Sequence, residues 1–195
     1  METVDSFKKR ISGLLENYKK EDIFNADECG LFYRAMPNKT LATIGDKCKD
    51  GKISKERITI LLSCSSTGEK LKPLVIGKAR KPRCFKKVNV KNLPVSWHGN
   101  KKAWMTSSVF TEWVMPLNKQ MKQRKRKILL FINNCPAHPS DLSFSNVKVQ
   151  FLPANTTSYL QPLDQGIIQA FNLHYRKFLL QAIIARAEEC KLLHA

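Results

Sequence analysis

The chain has 195 residues, enough for one domain with a genuine apolar core, and 43% of them are hydrophobic, as in ordinary globular proteins. No apolar run is long enough to span a bilayer, and the opening stretch METVDSFKKRISG lacks a signal-peptide core, so a membrane or secreted protein is not expected. Lys and Arg number 34 against 16 Asp and Glu, a formal net charge of +18, which points to a polyanionic partner, most simply nucleic acid.

Taken in chain order, Phe7, Ile11, Leu14, Leu15 and Tyr18 predict an amphipathic helix over 5–20. DIFNAD (22–27) reads as a short strand ended by Glu28, Cys29 and Gly30, and 34–56 as polar, basic loop. RITILLSCSS (57–66) is β-branched and predicts a strand; TGEK turns, and LKPLVIGK (71–78) returns as its antiparallel partner, with Pro73 favouring an edge or bulge. Residues 79–104 predict loops and short irregular strands. A helix is expected over 107–123, where Val109, Trp113, Leu117 and Met121 recur every four residues and Pro116 should kink or interrupt it. KILLFIN (127–133) has the length and continuous apolarity of a buried central strand. VKVQFLP (147–153) is a further strand. From Pro162 a long helix is expected to run through Ile167, Phe171, Tyr175, Phe178 and Ile183 to about Cys190. The order predicts a single mixed α/β domain over 1–195, with strands in the centre and helices on the flanks.

The positive charge is concentrated. Between Lys70 and Ser140 seventeen basic residues stand against one acid, Glu112. Two clusters supply most of it: 78–91, with Lys78, Arg80, Lys81, Arg83, Lys86 and Lys87, and 119–127, with Lys122, Arg124, Lys125, Arg126 and Lys127. These eleven are the candidate nucleic-acid contacts; a solvated basic surface, or a nuclear-import signal at QRKRK, is the plainer alternative. The six cysteines (29, 48, 64, 84, 135, 190) form no CxxC pair and predict reduced thiols rather than a zinc framework. Cys135 and His138 make a lone C-x-x-H that lacks the other ligands of a zinc site. His138 reads equally well as a turn-stabilising histidine or as part of a site. Trp97, Trp104 and Trp113 are either core aromatics or base-stacking platforms, with Trp113 assigned to the core face of its helix.

Three positions stand out by context: Asp27 at the end of the first strand, Asn133 at the end of the most apolar strand, and Asp164 in the expected first turn of the long helix. Strand ends and helix starts are where α/β folds place ligands, and acids there hold divalent cations through carboxylate oxygens. Either acid taken alone would more often be a helix cap or a solvated side chain.

The segments IFNADECGLFYRAMPNKTLA (23–42), LLFINNCPAHP (129–139) and FLPANTTSYLQPLDQGIIQAF (151–171) resemble the signature blocks of the pogo/Tigger branch of DDE transposases, a group that includes centromere protein B. Matching runs extend over about 14–180. The resemblance implies a ribonuclease-H-like core, a mixed central sheet flanked by helices, in which three aspartates hold two Mg2+ (or Mn2+) ions for in-line displacement at phosphorus. It assigns the first aspartate to Asp27 and the third to Asp164. The second position is held by Asn133, with thirty residues between it and Asp164. Asn keeps the shape of Asp and a weakly ligating carbonyl oxygen, but not the charge. Two divalent ions then face two carboxylates instead of three. Altered outer-shell partners already lower metal affinity or activity about 10–100-fold; a lost first-shell charge should do at least as much.

The resemblance therefore implies a domesticated, nuclear, DNA-binding protein with a DDE-type core and weak or absent strand cleavage. The alternatives are a still-active metal-dependent endonuclease or transposase, and a protein-interaction scaffold without DNA contact. The upstream helix-turn-helix modules of this family are not seen in the chain, so contact with DNA is expected to fall mainly on the phosphate backbone. A homodimer is compatible with all three readings, and the membrane is not an expected partner.

Overall fold

The structure, a computed structural model, describes residues 4–35 and 54–192, with side chains through 189. Helix α1 (Val4–Leu15) leads through a single 3-10 turn into β1 (Ile23–Leu31). Strands β2 (Ile58–Ser65), β3 (Leu74–Gly77) and β4 (Ser96–Gly99) follow, then helix α2 (Ser107–Gln123) and strands β5 (Ile128–Ile132) and β6 (Val147–Phe151). Short α3 (Thr157–Leu160) and long α4 (Ile168–Leu192) close the chain. Most of the loop expected over 34–56, with Cys48, lies outside the described residues; the four described cysteines are free thiols, as expected.

The strands form one six-stranded sheet in the order β4-β3-β2-β1-β5-β6. β2 runs antiparallel to both β1 and β3, whereas β1–β5, β5–β6 and β3–β4 are parallel. β1, β3, β4, β5 and β6 therefore all end on the same side of the sheet, and β2 begins there. β1 is longer than the expected 22–27 because all of Phe24–Leu31 is paired with β2. Its pairing with β5 stops at Asn25↔Phe131. Beyond that point β1 has β2 on one edge and, among the described residues, no strand on the other.

Strand alternation divides the core between the faces. Phe24, Ala26, Leu61, Leu74, Ile76, Leu130 and Ile132 pack against Val109, Phe110, Trp113, Val114, Leu117 and Met121 of α2. On the opposite face Cys29, Leu31, Ile60 and Val75 meet Trp97 and, from α4, Ile168, Phe171 and Tyr175. α1 covers that same face beside them, with Phe7 and Ile11 against Leu152 and Phe131.

α2 is continuous, so the expected break at Pro116 does not occur. Pro116 is exposed, its missing N–H falls on the solvent side, and the buried Trp113, Val114, Leu117 and Met121 hold the helix against the sheet. Thr106 caps the start, its hydroxyl accepting from the Val109 N–H. The long helix does not begin at Pro162 as expected. Leu163–Ile167 is a kinked turn with Gln165 at ψ 37° and Gly166 at φ 115°, and regular helix starts only at Ile168. Gly166 is the residue that tolerates this left-handed backbone.

The second basic cluster is partly consumed by the fold. Arg126 is half-buried; its Nε donates to Asp22 (2.7 Å), one terminal nitrogen to both Glu69 oxygens (3.1 and 2.9 Å) and the other to the Glu21 carbonyl (2.8 Å). It clamps the α2–β5 turn to the start of β1 and to the β2–β3 turn.

At Gly99, where β4 leaves the sheet, an added Cβ would fall inside the contact distance of the Ala79 carbonyl carbon and the Arg80 nitrogen, whereas at Gly13 on α1 it would meet nothing within 4 Å. Gly99→Ala should therefore destabilise the domain by about 1–3 kcal/mol through overpacking, while Gly13→Ala should stabilise it by roughly 0.5–1 kcal/mol through helix propensity. Urea unfolding of the two variants checks the pair, and equal effects would contradict the packing at Gly99.

Candidate active site

The first strand carries N-A-D-E into the middle of the molecule. Asn25 and Asp27 share the α4 face of β1; Ala26 and Glu28 share the α2 face. Asn25 is buried and uses its whole amide. Its nitrogen donates to the Phe131 carbonyl (3.1 Å) and to Gln161 Oε1 (2.9 Å), and its oxygen accepts from the Leu163 N–H (3.2 Å). Gln161 is fully buried and donates in turn to the Ala26 carbonyl (3.0 Å). This amide pair sews the QPLDQ segment to β1 and brings Asp164 against Asp27.

Asp27 is 6% exposed. Burial, then the charge of Asp164, then that of Glu28 and a hydrogen bond with Asp164 push its carboxyl up to about 7, against the opposing pull of the Glu28 N–H, which donates to Asp27 Oδ1 (2.9 Å). Asp164 is exposed and sits in the kinked turn rather than in the first turn of α4, so the helix dipole reading does not apply to it. Asn133 lies two residues past Phe131, as Asp27 lies two past its partner Asn25, so the parallel register sets the two level; Asn133 follows the end of β5, whereas Asp27, expected at the end of its strand, is the fifth of nine residues of β1. The Asn133 side-chain oxygen is buried without a hydrogen-bond partner.

These features fit a divalent cation. Two carboxylates are set against each other and share a hydrogen bond, and the Asn133 side-chain oxygen is buried with no donor to satisfy it. Asp27, Asp164 and the Asn133 carbonyl are the residues that could hold one. Among the described residues no group of three or more His, Cys, Asp and Glu side chains is placed to hold a metal ion.

Glu28, Asn25 and Gln161 are not conspicuous in the sequence. Their signal is a polar residue inside an apolar strand or at a helix start, which a search for carboxylates alone passes over. His138 proves to be part of the site's frame. Its side chain is 1% exposed, Nε2 faces Glu28 Oε1 (2.8 Å), Nδ1 faces the main-chain carbonyl oxygen of Asn133 (3.0 Å), and the ring lies 4.6 Å from that of Phe110. It thus fastens the 133–139 loop to β1. The Cys135 thiol lies 3.5 Å from His138 Nδ1.

The two basic clusters lie at opposite ends of the sheet. Lys78, Arg80, Lys81, Arg83, Lys86 and Lys87 follow the end of β3, at the end of the sheet that carries Asp27 and Asn133. Lys122, Arg124, Lys125 and Lys127 precede β5, a five-residue strand that separates them from Asn133 by about 17 Å at strand rise. Trp113 is core, as expected. Trp97 packs over Gly77 and Phe85. Trp104 is 54% exposed.

Burial lowers the His138 pKa, but the hydrogen bond and charge of Glu28, the Asn133 carbonyl and the charge of Asp27 outweigh it, so the net shift is upward from 6.5. The pair's stabilisation is then complete below about pH 6.5 and declines as pH rises through the higher folded value. His138→Ala, which strands Glu28 beside Asp27, should destabilise by about 3 kcal/mol at pH 6 and by less at pH 9. Denaturant unfolding at the two pH values measures this, and a pH-independent difference would contradict an ionic pair.

A family model described as DDE superfamily endonuclease matches residues 55–192. Tigger transposable element-derived protein 4 of Mus musculus is 37% identical over 91% of this chain and 34% of its own length. CENP-B homolog protein 2 of Schizosaccharomyces pombe is 34% identical over 94% of this chain and 36% of its own. The chain thus spans about a third of these relatives. Among solved structures, the Mos1 mariner paired end complex with Mn aligns with a TM-score of 0.57 at 10% identity, covering 86% of this chain and 46% of that one. The Mos1 Strand Transfer Complex aligns with a TM-score of 0.56 at 15% identity over the same shares. The fold is ribonuclease-H-like, and the chain belongs to the DDE superfamily endonuclease family, among its Tigger and CENP-B relatives.

Proposed function

We propose that this chain is the core of a domesticated transposase that works in the nucleus on DNA, with strand cleavage disarmed at Asn133. The observation that carries the reading is the orphaned Asn133 oxygen, delivered by the β1–β5 register to the Asp27 end of the sheet. The frame of a two-metal centre is present while one of its charges is missing. Asp27, Asp164 and the Asn133 carbonyl would hold Mg2+ or Mn2+. When bound, such ions stabilise the attacking and leaving oxygens at phosphorus. The chain's own part is to hold Asp27 in a buried, water-poor position, to set Asp164 against it through Asn25 and Gln161, and to fix the 133–139 loop through His138 and Glu28.

DNA contact is proposed for the cations at the carboxylate end of the sheet, Lys78, Arg80, Lys81, Arg83, Lys86 and Lys87. The cluster of Lys122, Arg124, Lys125 and Lys127 lies before the start of β5, at the other end of the sheet. Arg126 is committed to Asp22 and Glu69. α4 exposes Leu173, Phe178 and Ile184, apolar side chains available to a second copy of the chain.

Plasmid nicking tests the disarmed centre. The natural chain is expected to leave supercoiled plasmid intact in Mg2+ or Mn2+. Asn133→Asp should restore nicking and bind Mn2+ at least about tenfold more tightly by calorimetry. Equal nicking by both proteins would make the chain an active endonuclease and end this reading.

Salt dependence tests the DNA face. Affinity for duplex DNA should fall with salt as phosphate-bound counterions are released. Replacing Arg80, Arg83 and Lys86 with Gln should reduce the slope of log K against log salt by roughly one for each phosphate no longer neutralised. The same change at Lys122 and Lys125 should leave nicking by the Asn133→Asp protein as it was. The opposite ranking would move the DNA to the other end of the sheet.

A further inference from the structure

On the α2 face of β1, across the strand from Asp27, is a feature that phosphate contacts and metal ligands do not account for. Trp104 is among the most exposed large apolar residues, at 54%, yet its backbone is held hard. Asn100 brackets it with both halves of its amide: the side-chain nitrogen donates to the Trp104 carbonyl (2.7 Å), and the oxygen accepts from the Trp104 N–H (3.2 Å). The preceding Ala103 is fully buried in a left-handed conformation, φ 53°, which alanine adopts only under constraint. Its carbonyl is pinned by the Thr59 hydroxyl (2.7 Å). An indole with no core role is thus presented on a strained, over-determined backbone.

Arg57 lies over the indole, 5.0 Å from the ring centroid. Both residues line a cavity of about 260 Å³ whose other walls include Glu28, Gly30, Cys135 and Ala137. The cavity therefore abuts the residue after Asp27 and the loop that begins at Asn133. The 133–139 loop, fastened to β1 by His138 and Glu28, forms its wall along the edge of β1 that β5 leaves unpaired beyond Asn25.

A flat aromatic surface backed by a guanidinium is the arrangement on which unpaired nucleobases stack. We propose that Trp104 and Arg57 form a stacking subsite for an unpaired nucleobase of DNA bound by the chain. This rests on the proposal that the chain contacts DNA, and deepens it: the preferred ligand is DNA with an unpaired nucleotide at the site, not uniform duplex. Stacking is tolerant of base identity, because every base has a π-face.

The test compares a blunt duplex with the same duplex carrying a short 3′ tail of unpaired thymidines, both in EDTA, by fluorescence anisotropy and by quenching of the protein's indole emission. The tail should tighten binding by about 5- to 150-fold for a stacked base and quench emission. Trp104→Ala should bind tailed and blunt duplexes alike, without tail-dependent quenching, and Trp104→Phe should keep most of the preference. Unchanged melting temperatures establish that the variants are folded. A tail preference that survives in Trp104→Ala, or a natural chain that binds both duplexes equally, overturns the subsite while leaving the DNA reading intact. Failure to bind either duplex overturns both.

Discussion

A hydrogen bond between two buried amides, Asn25 and Gln161, holds the site together. One residue is on the first strand and the other follows a short helix 136 positions later, and between them they engage Phe131, Ala26 and Leu163. Inside the protein each of these groups must be paired, because an unsatisfied buried donor or acceptor costs about 1–3 kcal/mol. Satisfying them together leaves one position for the QPLDQ segment, and that position sets Asp164 against Asp27. The kink at Gln165 and Gly166 follows from the same requirement: the chain must meet β1 at Leu163 before α4 can lie along the sheet. The polar network thus gives up a regular helix start to gain the placement of a carboxylate.

That placement is electrostatically unfavourable by itself. Asp27 is desolvated, faces a second carboxylate and has a third beside it in Glu28. A fold shaped by stability alone would not gather these charges, and the His138 bridge relieves only Glu28. The arrangement makes sense as the preorganised shell of a cation site, where the repulsion between acids is the source of affinity for the ion. The Asn133 side-chain oxygen is buried and unpaired. The frame around it, from Asn25 and Gln161 to His138, is complete.

Topology decides which positive charges matter. Five strands end, and β2 begins, at the side of the sheet that holds Asp27 and Asn133. That side also carries the Lys78–Lys87 segment, Arg57 and Trp104. The denser basic run at 119–127 is at the other end, where Arg126 serves as a clamp between Asp22 and Glu69.

Periodicity and local residue order are one-dimensional properties, and they were enough for the α/β class, the buried β5 and the apolar face of α2, while the motif blocks carried the family and marked Asp27, Asn133 and Asp164 as the positions it implies. They also revealed that one expected carboxylate is an amide. They were not enough for the full length of β1, which exists because β2 pairs with it, or for the continuity of α2 through Pro116, which core contacts enforce. Nor could they separate the two basic clusters, reveal Arg126 as a clamp, or distinguish the exposed Trp104 from the packed Trp97 and Trp113. Those features depend on which strand ends share a side and on what surrounds each side chain, and both are settled only when segments more than a hundred residues apart come together.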